Sequence, residues 1–163
     1  MMTNKELMRS ALGRYTLPQL QKLGFAGRYP HFRREREGCI ELLSFQANSH
    51  GGSFTVEVSA AFPGHPDPNY TLAAGQTAED LTVFSTNRRY RLPGMYDRWF
   101  HYQDVYRRRF LFFTEYQAPG SPGKGFRLYR AFDEAQAERV CMELNRQLED
   151  AWLWLEQFRA SHP

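Results

Sequence analysis

The chain has 163 residues, of which 42% are hydrophobic, 24% charged and 15% aromatic, with a formal net charge of +3. A chain of this length buries roughly two thirds of its unfolded surface, which supports one core and one domain, 1–163, without disulfides or metals to hold it. The composition excludes disorder, and the longest apolar runs, 110–113 and 151–155, fall far short of the ~20 residues of a membrane-spanning helix.

Thr3 followed by Glu6 is a capping-box pattern, and Leu7, Met8, Ala11, Leu12 and Tyr15 recur at helical spacing. A helix is expected over 4–14. Thr16 is read as the cap of a second helical piece with Pro18 in its first turn, so that the helical N-terminus spans 4–23 and ends at Gly24. Lys5, Glu6 and Arg9 have no apolar run behind them, so no secretory leader is expected and the cytoplasm is the default compartment. Cys39 and Cys141, neither in a CxxC pair, are read as reduced buried thiols.

A sheet is expected over 28–130. Mixed aromatic and charged residues over 29–36, a Glu37-Gly38 turn and the β-prone run CIELLSFQA at 39–47 read as a hairpin. Phe54, Val56, Val58, Ala60 and Phe62 then alternate with Thr55, Glu57, Ser59 and Ala61. That period predicts a strand with its Phe/Val side buried and its Thr/Glu/Ser side facing water. The Pro- and Gly-rich stretch 63–78 has no period and is read as an excursion loop. Strand character resumes over 81–92, 99–103 and 105–116, and a turn-rich segment at 118–125 leads to a return strand over 126–129.

The last helix, 133–159, is the strongest signal. Asp133 with Gln136 forms a cap pattern, Phe132 can staple onto Ala137, and Ala137, Val140, Cys141, Leu144, Leu148, Ala151, Leu155 and Phe158 make one apolar stripe. Trp152, Leu153 and Trp154 are consecutive, so at least one must leave that stripe. Helix, antiparallel strands, helix is an α+β order: a sheet of about five to seven strands with both terminal helices on one face and the other face partly open.

The segments LGFAGRYPHFRRE, CIELLSFQANS and SFTVEVSAAF, then RRYRLPG, DRWF and a closing WLWLEQF, resemble the bacterial family known as domain of unknown function 4304, over residues 4–158. The most specific part is 23–62. The resemblance implies a small bacterial α+β protein and assigns no activity.

Catalytic motifs with a physical mechanism are missing from the sequence: GxSxG, the Walker loop, GxGxxG, HExxH and CxxC. No two histidines stand at i, i+4. His31 and His101, both on expected strands, are the pair that a sheet could bring together, but no metal or cofactor is expected. Glu35, Glu41 and Glu57 fall on neighbouring strands, where Arg33, Arg34 and Arg36 are their natural cross-strand partners.

The arginines are the most suggestive feature. Arg89 with Arg91, and Arg107 with Arg109, are spaced i, i+2, which on a strand points both guanidiniums to one side, among Tyr90, Tyr102, Tyr106 and Phe110. Residues 86–109 hold seven arginines and two aspartates, whereas 133–163 hold seven acidic and three basic residues. Arginine and aromatic side chains dominate protein interfaces. The expected function is therefore a non-catalytic, cytoplasmic bacterial binding protein, of inhibitor or immunity type, that engages a protein partner through Arg89, Arg91, Trp99, Tyr102, Arg107, Arg109 and Gln46. The alternative is an anion, nucleotide or nucleic-acid binder using the same arginines. A homodimer is a further option, and a membrane is not.

Overall fold

The computed structural model describes residues 1–118 and 122–162. The N-terminal capping box forms as its spacing implies: the Glu6 N–H donates to Thr3 Oγ1 (3.3 Å) and the Thr3 N–H donates to Glu6 Oε2 (2.7 Å), which opens α1 (Asn4–Ala11). A π-helical turn (Leu12–Thr16) carries the chain without a break into α2 (Leu17–Lys22). Thr16 consequently makes no capping bond. Gly24, at φ +87°, ends the helical stretch.

Four strands then run in chain order, each antiparallel to the last: β1 (Ala26–Arg28), β2 (His31–Arg36), β3 (Cys39–Ala47) and β4 (Ser53–Ala61). The far edge of β4 is shared by two short strands, β5 (Tyr90–Arg91) and β6 (Phe100–His101). Alternation puts Leu43 and Phe45 of β3 with Phe54, Val56 and Val58 of β4 on one face. Across that face lies α3 (Glu134–Ala160), the long helix that its stripe predicts, with Val140, Leu144, Leu148 and Leu155 in the same core as Met8, Leu12 and Leu20 from the N-terminal helices. The protein is α+β, with both terminal helices on one face of an antiparallel sheet.

One charge lies inside this layer. Glu41 sits on the helix side of β3 and is fully buried, which is tolerable only because Arg34 of β2 binds one carboxylate oxygen and Arg159 of α3 binds the other at 2.9 Å. Arg34 also lies 4.5 Å from the centre of the Phe25 ring, so its guanidinium is stacked as well as paired.

The second face departs from expectation. Thr55, Glu57 and Ser59 of β4, read from the sequence as facing water, are buried. The 63–78 segment and its continuation fold back over this face, and Leu81 and Val83 pack on Ile40, Leu42 and Ala61. Polar clamps hold the cover down. The Arg33 guanidinium donates to the Ala78 and Glu79 carbonyls (3.1 and 3.0 Å), and the Asn69 side chain donates to the Ala60 carbonyl (2.9 Å). The β character expected over 81–92 shrinks to β5, because two 3-10 turns (Ala78–Asp80 and Val83–Ser85) supply the cover instead.

The remaining strands leave the main sheet altogether. β7 (Val105–Phe110), β8 (Phe113–Gln117) and β9 (Arg127–Arg130) form a separate antiparallel sheet in the order β8-β7-β9. The turn expected over 118–125 lies partly outside the described residues. This small sheet is tied to the rest at Asp104, whose carboxylate accepts from the Phe132 N–H (2.8 Å) and the Asn4 side chain (3.2 Å).

Candidate partner-binding surface

The two sheets divide the arginines that the sequence groups together. Arg89 and Arg91 lie on the side of the main sheet that carries Thr55 and Glu57. Arg89 pairs with Glu57 (3.3 Å), while Arg91 donates from Nε to Thr55 Oγ1 (3.0 Å) and stacks 4.9 Å from the Trp99 ring centre. Gln46 stands opposite Thr55 in the register and is exposed, and Trp99 is half-buried against Arg91. At this place each guanidinium already has an internal partner.

The Tyr102 ring, one residue beyond the end of β6, is buried against Phe54 and Phe132, at centre distances of 6.3 and 6.4 Å.

Arg107 and Arg109 present the opposite case. They project from one side of β7, and the register sets Arg107 directly opposite both Tyr116 and Arg127, and Arg109 opposite Thr114. Arg107, Arg109, Thr114 and Arg127, with Phe112 and Gly125, line a recess of about 520 Å³. Tyr129 completes the group: Arg107 lies 4.9 Å from its ring centre, and Tyr116 meets it edge-on at 5.4 Å. Among the described residues, no carboxylate lies within 4.0 Å of the Arg107, Arg109 or Arg127 guanidiniums. Arg108, on the other side of β7, is different: it pairs with Glu115 and stacks on Phe126.

Like charges directly opposite on paired strands destabilise a sheet. Arg107 against Arg127 is such a pair, and among the described residues no carboxylate offsets it. The hairpin tip between β7 and β8 adds an apolar element. Phe110, Leu111, Phe112 and Phe113 are 67%, 72%, 97% and 74% exposed. Leu111 is also held at φ +50°, a left-handed conformation in which Asn or Gly would sit without strain. Contiguous exposed apolar side chains on strained backbone mark contact surfaces.

The sequence named Arg107 and Arg109 but missed Arg127, Tyr129, Tyr116 and the tip. The signal was present. Arg127 and Tyr129 share the i, i+2 spacing, and pairing the return strand with 105–110 would have placed them beside Arg107. Cys39 and Cys141 are free and buried, burial being the main cause that pushes each thiol up to about 11. Glu35, Glu41 and Glu57 do not converge, since Glu41 faces α3 and the other two the opposite side. Among the described residues, no three His, Cys, Asp or Glu side chains gather as metal ligands, and no helix is long and apolar enough to cross a membrane.

No curated protein and no solved structure matches the chain significantly. A family model does match, over residues 16–157, from the end of the π-helical turn to the last turns of α3, so the match takes in both sheets and the long helix and leaves α1 outside. The chain belongs to the family described as domain of unknown function 4304 (DUF4304).

Proposed function

We propose that the protein is a non-catalytic, cytoplasmic bacterial binding module that engages an acidic protein partner through its three-stranded sheet. One observation carries this reading: Arg107, Arg109 and Arg127 share a sheet side with Tyr116 and Tyr129, no carboxylate among the described residues neutralises them, and the apolar tip stands beside them. A partner that brings carboxylates to the guanidiniums removes the Arg107–Arg127 repulsion, and its apolar groups cover Phe112 and Phe113. Arg, Tyr and Phe in one patch are the residue types that concentrate binding energy. Among the described residues, both outer strands, β8 and β9, also have an unpaired edge, which suits recognition by strand addition. The two unbonded thiols support a reducing compartment.

The test places a photoreactive phenylalanine analogue at position 112 in producing cells, with the exposed Glu149 as the control position. The expected result is one adduct with an acidic protein, lost in the variant carrying Arg107→Glu, Arg109→Glu and Arg127→Glu and not formed from the control. A parallel titration with single-stranded nucleic acid should show no appreciable affinity. Tight binding there with a steep salt slope, an adduct with a second copy of the chain, or no adduct at all overturns the reading.

A further inference from the structure

A second cavity lies away from the recess, where the three-stranded sheet meets α3. Its volume is about 490 Å³, within the range of small-molecule sites. Met95, Val105, Phe132 and Val140 give it apolar walls, and Phe132 and Val140 are buried. Arg130 of β9 and Arg139 of α3 line it from two different elements, and among the described residues neither has a carboxylate within 4.0 Å. Asp104, beside Val105 in the chain, is already engaged by the Phe132 N–H and Asn4. The cleft is thus an apolar slot with two cations and no anion.

His101 also lines the cleft, with its Nε2 3.2 Å from the Tyr96 carbonyl oxygen. A ligand that fits the cleft carries a carboxylate for the arginines and an apolar body for the wall.

We propose that this cleft binds a small carboxylate with an apolar body, of which an N-acyl amino acid is one example. Since Val105 and Arg130 come from the three-stranded sheet and Phe132, Arg139 and Val140 from the α3 side, such a ligand bridges the two parts of the fold. The site is separate from the Arg107 recess and does not depend on the partner-binding reading.

N-octanoylglycine is the probe, titrated calorimetrically into the full chain. A saturable site with Kd of roughly 10–100 µM is expected for a ligand of this size. Its methyl ester, which lacks the charge, should bind at least about tenfold more weakly. Arg130→Ala with Arg139→Ala should lose a similar factor. Gln136→Trp, on the half-buried helical wall of the cleft, should block binding while the circular dichroism of the protein stays unchanged. Absence of saturable binding, equal affinity for acid and ester, or undiminished binding by the folded Gln136→Trp protein overturns the proposal.

Discussion

Glu41 shows most directly how one residue fixes the relation between elements. A buried carboxylate needs full compensation, and the two that supply it come from β2 and α3, so this ion triad holds the long helix in register on the sheet. Glu41→Gln should destabilise the protein by about 3–5 kcal/mol, because Arg34 and Arg159 remain largely buried with no counter-charge. The triple variant Arg34→Met, Glu41→Leu, Arg159→Met should recover much of that loss. Chemical denaturation of both variants checks the pair of outcomes, and equal loss in the two would show that packing rather than charge is what matters.

Glu143 offers a pH-dependent counterpart. The hydrogen bond from Arg146, then that from Gln147, holds its carboxyl below the ordinary 4.5. Gln147 in turn donates to the Gly94 carbonyl (2.9 Å) and accepts from the Gly94 N–H (2.8 Å), so the carboxylate steadies a side chain that pins the 93–94 turn to α3. A carboxyl that ionises more readily when folded stabilises fully above pH 4.5 and loses its contribution as pH falls through the depressed value. The stability advantage of the native protein over Glu143→Gln should therefore shrink as pH is lowered from about 6 to about 3, read from urea midpoints. The cysteines give a simpler check. With thiols raised to about 11, roughly one in ten thousand is ionised at neutral pH, so Ellman's reagent should label neither in the native state and both together on unfolding.

At the scale of elements, sequence signals were legible wherever a local rule decides the outcome. The Thr3–Glu6 box, the Asp133 cap with its 2.8 Å bond from the Gln136 N–H, the apolar stripe of α3 and the hairpin at Glu37-Gly38 all follow from neighbours a few residues apart. The stripe even left Leu153 outside, more than half exposed, while Trp152 and Trp154 turned toward Phe25 and Phe158. Alternation in β4 said correctly which residues share a side. It could not say what covers that side, because the cover is assembled from Leu72, Leu81 and Val83, too sparse to show a period. Nor does a strand's composition say which sheet it joins, which is why the arginines of β5 and β7 appeared to form one surface.

The β7–β8 tip is the element whose cost is clearest. Leu111→Asn should raise stability by about 0.5–1 kcal/mol, since Asn tolerates the left-handed backbone that Leu resists, and should remove one apolar group from the patch. If the tip is a contact surface, the same variant weakens crosslinking from position 112. A stabilising substitution that lowers binding is the signature of strain kept for function. Thermal denaturation and adduct yield, measured on one preparation, decide between this and a tip that is merely exposed.

Taken whole, the molecule joins a part that is overdetermined to a part that is not. β3 and β4 are flanked by strands on both edges, with α3 on one face and the 63–86 cover on the other, and hardly a side chain along β4 reaches water. Among the described residues, the three-stranded sheet has outer edges without a strand partner, exposed strands and a polar tether at Asp104. Local opening costs little where few apolar contacts must break, so amide exchange should proceed at least about a hundredfold faster across β7, β8 and β9 than across β3 and β4. Such a gradient is physically coherent with binding: the rigid layer positions the small sheet, and ligand or partner contacts supply the order that its own packing leaves incomplete. Adding N-octanoylglycine should slow exchange chiefly near Val105 and Arg130, where the cleft touches the small sheet, and an acidic partner should slow it along the Arg107 side. Uniform exchange rates throughout the chain would mean that both sheets open only with global unfolding, and the proposed division of labour between them would fail.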